Sequence, residues 1–143
     1  MSAQLFHVGI KALCSNQDGK YLVLEVNPEH FRIKQPSHWD IPGGRIEGDD
    51  SVYDTLRREV KEELGIEFTS EPKFLTAVVS NIRLPHDDSD VRLVLMIYQV
   101  VLPEDAVITI SDDENLRFEW VSASEAAKRL AFKYPKEFTE KLV

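Results

Sequence analysis

The stretch from Gly43 to Ile66 constrains this chain more than any other, because a glycine pair, an acidic loop, a helical pattern and a closing glycine follow one another without a break. Gly43 and Gly44 permit backbone angles that other residues resist. After the loop Arg45-Ile46-Glu47-Gly48-Asp49-Asp50, Ser51 with Asp54 three positions later has the chemistry of a helix start, and Gly65 supplies the matching stop. Between them Val52, Leu56, Val60 and Leu64 form one apolar stripe at helical spacing. Glu59, Glu62 and Glu63 fall within about 100° of one another on a separate face. The spacing predicts a helix over 52–64 with one side for packing and one for acid.

Three carboxylates held this close repel one another by about 1 kcal/mol per pair at 4 Å in water, and by more where solvent is scarce. Two readings follow. The acids form an ordinary solvated face, with Arg57, Arg58 and Lys61 as neighbouring counter-charges. Alternatively they hold a hard divalent cation, since Mg²⁺ takes oxygen ligands and keeps room for waters and phosphate oxygens. The conjunction of the Gly-Gly loop, the helix signals and the terminal glycine favours the second.

In register, Gly44, Arg58, Glu59, Val60, Glu62, Glu63, Gly65 and Ile66 match the pattern G-x5-E-x7-R-E-U-x-E-E-x-G-U, with U a bulky aliphatic residue. The chain therefore resembles the Nudix hydrolase family. A pattern of this length at fixed spacing is specific, unlike a lone glycine-rich loop. The resemblance implies an α/β fold, a Nudix-type α/β/α sandwich with a mixed β-sheet. It also implies a metal-dependent hydrolase that cleaves a phosphoanhydride bond in a nucleoside diphosphate linked to X. Glu59, Glu62 and Glu63 are then the ligands of one or more Mg²⁺ or Mn²⁺ ions, joined by the Gly44 carbonyl. Such an ion would polarise a phosphoryl oxygen and lower the pKa of a bound water. The general base is Glu59 or Glu62, or a distal loop acid. Arg58 is expected to orient the carboxylates through its planar guanidinium. Asp50 stands where the family has Glu, keeping the charge but losing a methylene of reach, and Glu47 is either a further ligand or a solvated loop acid.

Around this block, Leu5 to Leu13 and Tyr21 to Val26 read as strands joined by the turn-like Asn16-Gln17-Asp18-Gly19, a β-hairpin. The polar stretch from Asn27 to His38, with Pro28 and Pro36, predicts a loop before the short strand Trp39-Asp40-Ile41. Lys73 to Ser80 and Val91 to Leu102 predict two long, buried, central strands, separated by an exposed, proline-broken connection over 83–90. Trp120 sits on the expected last strand. Ser122 to Glu125 forms a second capping box, giving a helix to about Leu130 and, after Pro135, a short helical segment ending near Leu142. One domain over 1–143 is expected.

Candidate contacts outside the box are weaker. Arg32, Lys34, His38 and Arg45 are possible phosphate donors, with solvated loop charge as the competing reading. Phe31 and Trp39 are possible base-stacking residues, although core packing competes for Trp39. Among Asp112, Asp113 and Glu114, Glu114 is the choice for an additional metal-binding or catalytic acid, because several family members carry one before the last strand. His86 lies in the expected connection.

With 17 basic against 25 acidic residues and a formal charge of −8, most of the surface repels duplex nucleic acid. A small-molecule nucleotide bridged by metal is the expected partner. Members that cleave ADP-ribose often carry a proline beyond the box, where this chain has Asn81. The expectation is therefore a (deoxy)nucleoside triphosphate giving monophosphate and pyrophosphate. A nucleoside diphosphate sugar hydrolase, a non-catalytic nucleotide-sensing module and an RNA-end hydrolase are the alternatives. The single cysteine, Cys14, excludes an intrachain disulfide and suits packing in a reducing compartment. The start lacks a leader pattern, and no segment approaches the roughly 20 apolar residues of a membrane span, so a cytoplasmic location is expected. A homodimer is carried over from the family by analogy.

Overall fold

The computed structural model describes residues 3–30, 36–87, 89–111 and 113–142. Its spine is β1 (Phe6–Ser15). Ile10, Ala12 and Cys14 are fully buried on one side of this strand and Leu13 on the other, as a strand covered on both faces requires. β2 (Tyr21–Val26) follows the turn, in which the Asn16 side chain accepts from the Asp18 and Lys20 amides at 3.0 Å each. The expected hairpin closes at that turn but pairs at Ser15 and Tyr21 and then opens. The reason is competition for one edge. Further along β1, Gly9 to Lys11 pair with β4 (Gly43–Arg45), so β2 swings away and pairs with β3 (Trp39–Asp40) and β7 (Asn115–Val121). On its other edge β1 runs parallel to β6 (Ser89–Val101) over its whole length, from Phe6 opposite Arg92 to Ser15 opposite Val101. β6 in turn pairs antiparallel with β5 (Lys73–His86). The sheet is mixed, and it splits where β1 and β2 part.

Helices cover both faces, which makes the α/β/α sandwich. α1 (Val52–Leu64) lays Leu56, Val60 and Leu64 on a core with Ile10, Ala12, Cys14, Leu22 and Leu24. On the opposite face α2 (Ala123–Leu130) and α3 (Lys136–Thr139) bring Ala126, Leu130 and Phe138 against Leu13, Val23, Leu95 and Ile97. The predicted caps form. Ser51 Oγ accepts from the Asp54 amide at 3.1 Å, Gly65 turns left-handed at φ 70°, and Ser122 Oγ accepts from the Glu125 amide at 3.2 Å.

Two expectations for the central hairpin are corrected. β6 is central, but β5 lies at the edge of the sheet. Residues 83–90 are also not a loose connection, since β5 continues to His86 and β6 begins at Ser89. The alternation explains both: Ile82 and Leu84 are half-buried while Asn81, Arg83 and Pro85 are exposed, the period of a strand with one wet face. An edge strand tolerates Pro85 because a missing N–H there interrupts little. A bulge between Val79 and Arg83 bends the hairpin. There Ser80 Oγ and the Asn81 amide donate to the Lys133 carbonyl at 2.8 and 2.9 Å, and Asn81 Nδ2 donates to the Ala131 carbonyl at 3.1 Å.

Candidate active site

A cavity of about 680 Å³ opens where the sheet splits. Its wall takes Gly9 and Lys11 from β1, Gly43 to Arg45 from β4, Glu59 and Glu63 from α1, and Glu114 with Asn115 from the head of β7. Ile82, Leu84 and Asp87 of the long hairpin complete it. Strand and helix join through Gly43, whose amide donates to Glu63 Oε2 at 2.7 Å. Neither glycine leaves room for a side chain. A Cβ on Gly43 would lie 2.2 Å from the Ile10 carbonyl oxygen, and one on Gly44 would lie 2.4 Å from Glu59 Oε1.

The carboxylates here carry unequal loads. Glu63 is buried, and burial raises its carboxyl well above the usual range, against the pull of Lys11 and of the Gly43 amide. The neighbouring Glu114 raises it further. Glu59 is raised too, first by burial and then by Glu62 and Glu114, while Arg58 opposes the shift. Arg58 gathers three acids: its Nε lies 3.3 Å from Asp50 Oδ2, and its Nη1 lies 3.0 Å from Glu59 Oε1 and 3.8 Å from Glu62 Oε2. Asp50, the departure from the family pattern, therefore stands as a partner of the arginine.

Of the residues singled out in the sequence, Gly44, Glu59, Glu63, Glu114 and Arg45 line this one cavity. Glu62 stands on the outer side of Arg58 with its side chain 58 % exposed. Arg45 is at the rim, with Nη1 3.5 Å from His7 Nε2. Trp39 is not in the wall. It packs half-buried beside the α2–α3 core between the guanidinium groups of Arg117 and Arg129, 5.2 and 4.5 Å from its ring, because neighbouring residues of β3 alternate and Asp40 takes the cavity side. Arg32, Phe31, Lys34 and Asp112 lie outside the described residues. Among the described residues no three carboxylate, histidine or cysteine side chains converge as a ready cage for an ion. The donor chemistry nonetheless suits a hard divalent cation. Carboxylate oxygens accept and do not donate when ionised, and a cation among those that line one cavity would remove their mutual repulsion.

One cluster escaped the sequence reading. Lys11 Nζ lies 3.3 Å from Asp40 Oδ1, Lys133 Nζ lies 2.5 Å from Asp40 Oδ2, and the Tyr134 hydroxyl donates to Asp40 Oδ1 at 2.6 Å. Lys11, Asp40 and Lys133 all line the cavity. Although burial alone would raise it, the two ammonium groups hold the Asp40 carboxyl far below the usual carboxylate range. Burial lowers Lys133 and raises Tyr134 well above the tyrosine range. A signal was available: Lys11 interrupts an otherwise apolar run between Ile10 and Ala12 on a buried strand, where a charge needs a buried partner.

A family model described as NUDIX domain matches residues 5–142. The chain is 28 % identical over 114 residues to the nucleoside triphosphatase NudI of Escherichia fergusonii, covering 78 % of this chain and 79 % of that one. It is 37 % identical over 60 residues to Nudix hydrolase 5 of Arabidopsis thaliana; the aligned part is 42 % of this chain and spans 19 % of the relative's length. In structure it is similar to a MutT protein from Methanosarcina mazei Go1, with a TM-score of 0.74, 23 % identity, and coverage of 99 % of this chain and 96 % of the other.

Proposed function

Because this chain belongs to the NUDIX family, we propose that it is a pyrophosphohydrolase acting on a phosphoanhydride bond, with a (deoxy)nucleoside triphosphate as substrate and the monophosphate and pyrophosphate as products. The observation that carries this reading is the seating of Glu63 on the Gly43 amide, in the wall of the cavity that Glu59 and Glu114 also line. Glu59, Glu63, Glu114 and the Gly44 carbonyl, with Glu62 from the outer side, are the groups that would hold Mg²⁺ or Mn²⁺, which supplies Lewis acidity toward a phosphoryl oxygen and toward the attacking water. Arg58 keeps Glu59 and Glu62 in place from behind. Glu59 or Glu62 takes the proton from the water, and Arg45 at the rim meets the outer phosphates. The relative's name, nucleoside triphosphatase, supports the substrate class. A nucleoside diphosphate sugar is the second choice.

No helix among the described residues is long and apolar enough to cross a membrane. A cytoplasmic location and a homodimer complete the proposal; light scattering tests the latter. The decisive assay is a nucleotide panel scored for released pyrophosphate and phosphate, with Mg²⁺ and then with EDTA. Turnover that EDTA abolishes, and that Glu63→Gln lowers by about a hundredfold or more at unchanged melting temperature, is expected. Turnover of no candidate would favour a nucleotide-sensing module, and an active Glu63→Gln would remove the metal assignment.

A further inference from the structure

The Lys11–Asp40–Lys133 cluster is unused by the hydrolytic step, yet it forms part of the same wall. Asp40 is saturated. Its Oδ1 takes the Tyr134 hydroxyl, the Ile41 amide at 2.8 Å and Lys11, and its Oδ2 takes Lys133. One buried carboxylate balances one ammonium, so a second buried lysine is not explained by the pair alone. Glu59, whose charge reaches Lys11, and Glu63, whose charge reaches both lysines, are committed to the cation under the proposed function. Each ammonium has three N–H donors and no acceptor, so each lysine, standing in the cavity wall, has donors beyond the one that meets Asp40. Asn115, 4 % exposed and in the same wall, adds an amide nitrogen with no hydrogen-bond partner among the described residues. Lys133 is also held at its backbone, where its carbonyl accepts from Ser80 and Asn81. Donors fixed at both ends can discriminate between ligands, as a swinging surface lysine cannot.

We propose that Lys11, Lys133 and Asn115 form a donor-lined subsite that selects the substrate's base by its carbonyl oxygens, so that keto bases such as uracil and guanine are taken in preference to adenine. Adenine offers an amino donor where these residues require an acceptor, and a polar group left without its partner is what makes such sites selective. This inference rests on the nucleoside triphosphate reading of the cavity. Its test needs no turnover. Isothermal titration calorimetry in Mg²⁺ compares the α,β-methylene triphosphates of uridine, guanosine and adenosine on the whole protein. The uridine and guanosine analogues are expected to bind about tenfold or more tightly than the adenosine analogue. Lys133→Met is expected to reduce that ratio about tenfold, the loss of one hydrogen bond from a charged donor, with melting temperature as the check on folding. Lys11→Met is read in the same way should Lys133→Met fail to fold. Equal or reversed affinities in the wild type, no binding of any analogue, or an unchanged ratio in a folded variant would overturn the subsite. A clear keto preference together with no hydrolysis of the natural triphosphates would instead bring down the proposed activity and leave the subsite standing.

Discussion

The two adjacent glycines of β4 give a paired test of what the cavity depends on. Gly43→Ala places a methyl 2.2 Å from the Ile10 carbonyl oxygen and 2.8 Å from Lys11 Cα, at a φ of 150°. Both obstacles are backbone of the central strand and cannot step aside. A side chain in such a backbone region costs about 1–3 kcal/mol by itself. With the clash added, a loss of about 3 kcal/mol or more is expected, which at roughly 3 °C per kcal/mol for a chain of this size lowers the melting temperature by about 10 °C. Gly44→Ala meets a different obstacle, the carboxylate of Glu59 at 2.4 Å, which is the free end of a flexible side chain. Ordinary contact begins near 3.4 Å, so the carboxylate must withdraw by about 1 Å. Stability should then stay within about 1 kcal/mol of wild type, and, with Glu59 in the role proposed above, a misplacement of that size lowers kcat by about a hundredfold. Differential scanning calorimetry and a pyrophosphate-release assay on both variants separate the effects. If Gly44→Ala melted as early as Gly43→Ala, or turned over at the wild-type rate, the role given to Glu59 and its glycine neighbour would be wrong.

Three further outcomes follow from the same geometry. Asp40→Ala strands two buried ammonium groups and should cost about 3–5 kcal/mol in urea unfolding. Because the Asp40 carboxyl titrates below its unfolded value, its contribution is fully present above the ordinary carboxylate range and fades as pH falls below it; an acid-unfolding profile that loses this stability only above pH 5 contradicts the assignment. Asn81→Ala removes the bonds from its side chain to the Ala131 and Phe132 carbonyls, so a loss of about 1 kcal/mol and faster amide exchange over 131–134 are expected, and unchanged exchange would count against the bulge as the anchor of that loop. Cys14 is fully buried and its thiol is raised above the ordinary range, chiefly by burial; it should resist Ellman's reagent until denaturant is added, and prompt labelling of the native protein would refute its place in the core.

Much of the site was legible in residue order because it is local. Ser51, the apolar stripe of α1 and Gly65 belong to one continuous segment, and helical geometry converts their spacing directly into faces and ends. The box carries family membership for the same reason. The strand readings were incomplete where partners are distant. Arg83 to Asp90 looks polar in composition, yet Ile82 and Leu84 turn inward once β6 lies alongside. The β1–β2 hairpin looks continuous in sequence, yet β4 claims the edge of β1.

The sequence by itself determined the helix that presents Glu59 and Glu63, the glycines before it, and the arginine beside it, since all of these depend on contacts within a few residues. Only the tertiary structure decided that Glu62 faces outward while Glu114 comes in, that Trp39 packs between two arginines, and that Lys11, Asp40 and Lys133 meet. The contacts among these span 29 to 93 positions of chain. They are decided by which strand wins an edge and which face a side chain is given, so no local pattern specifies them.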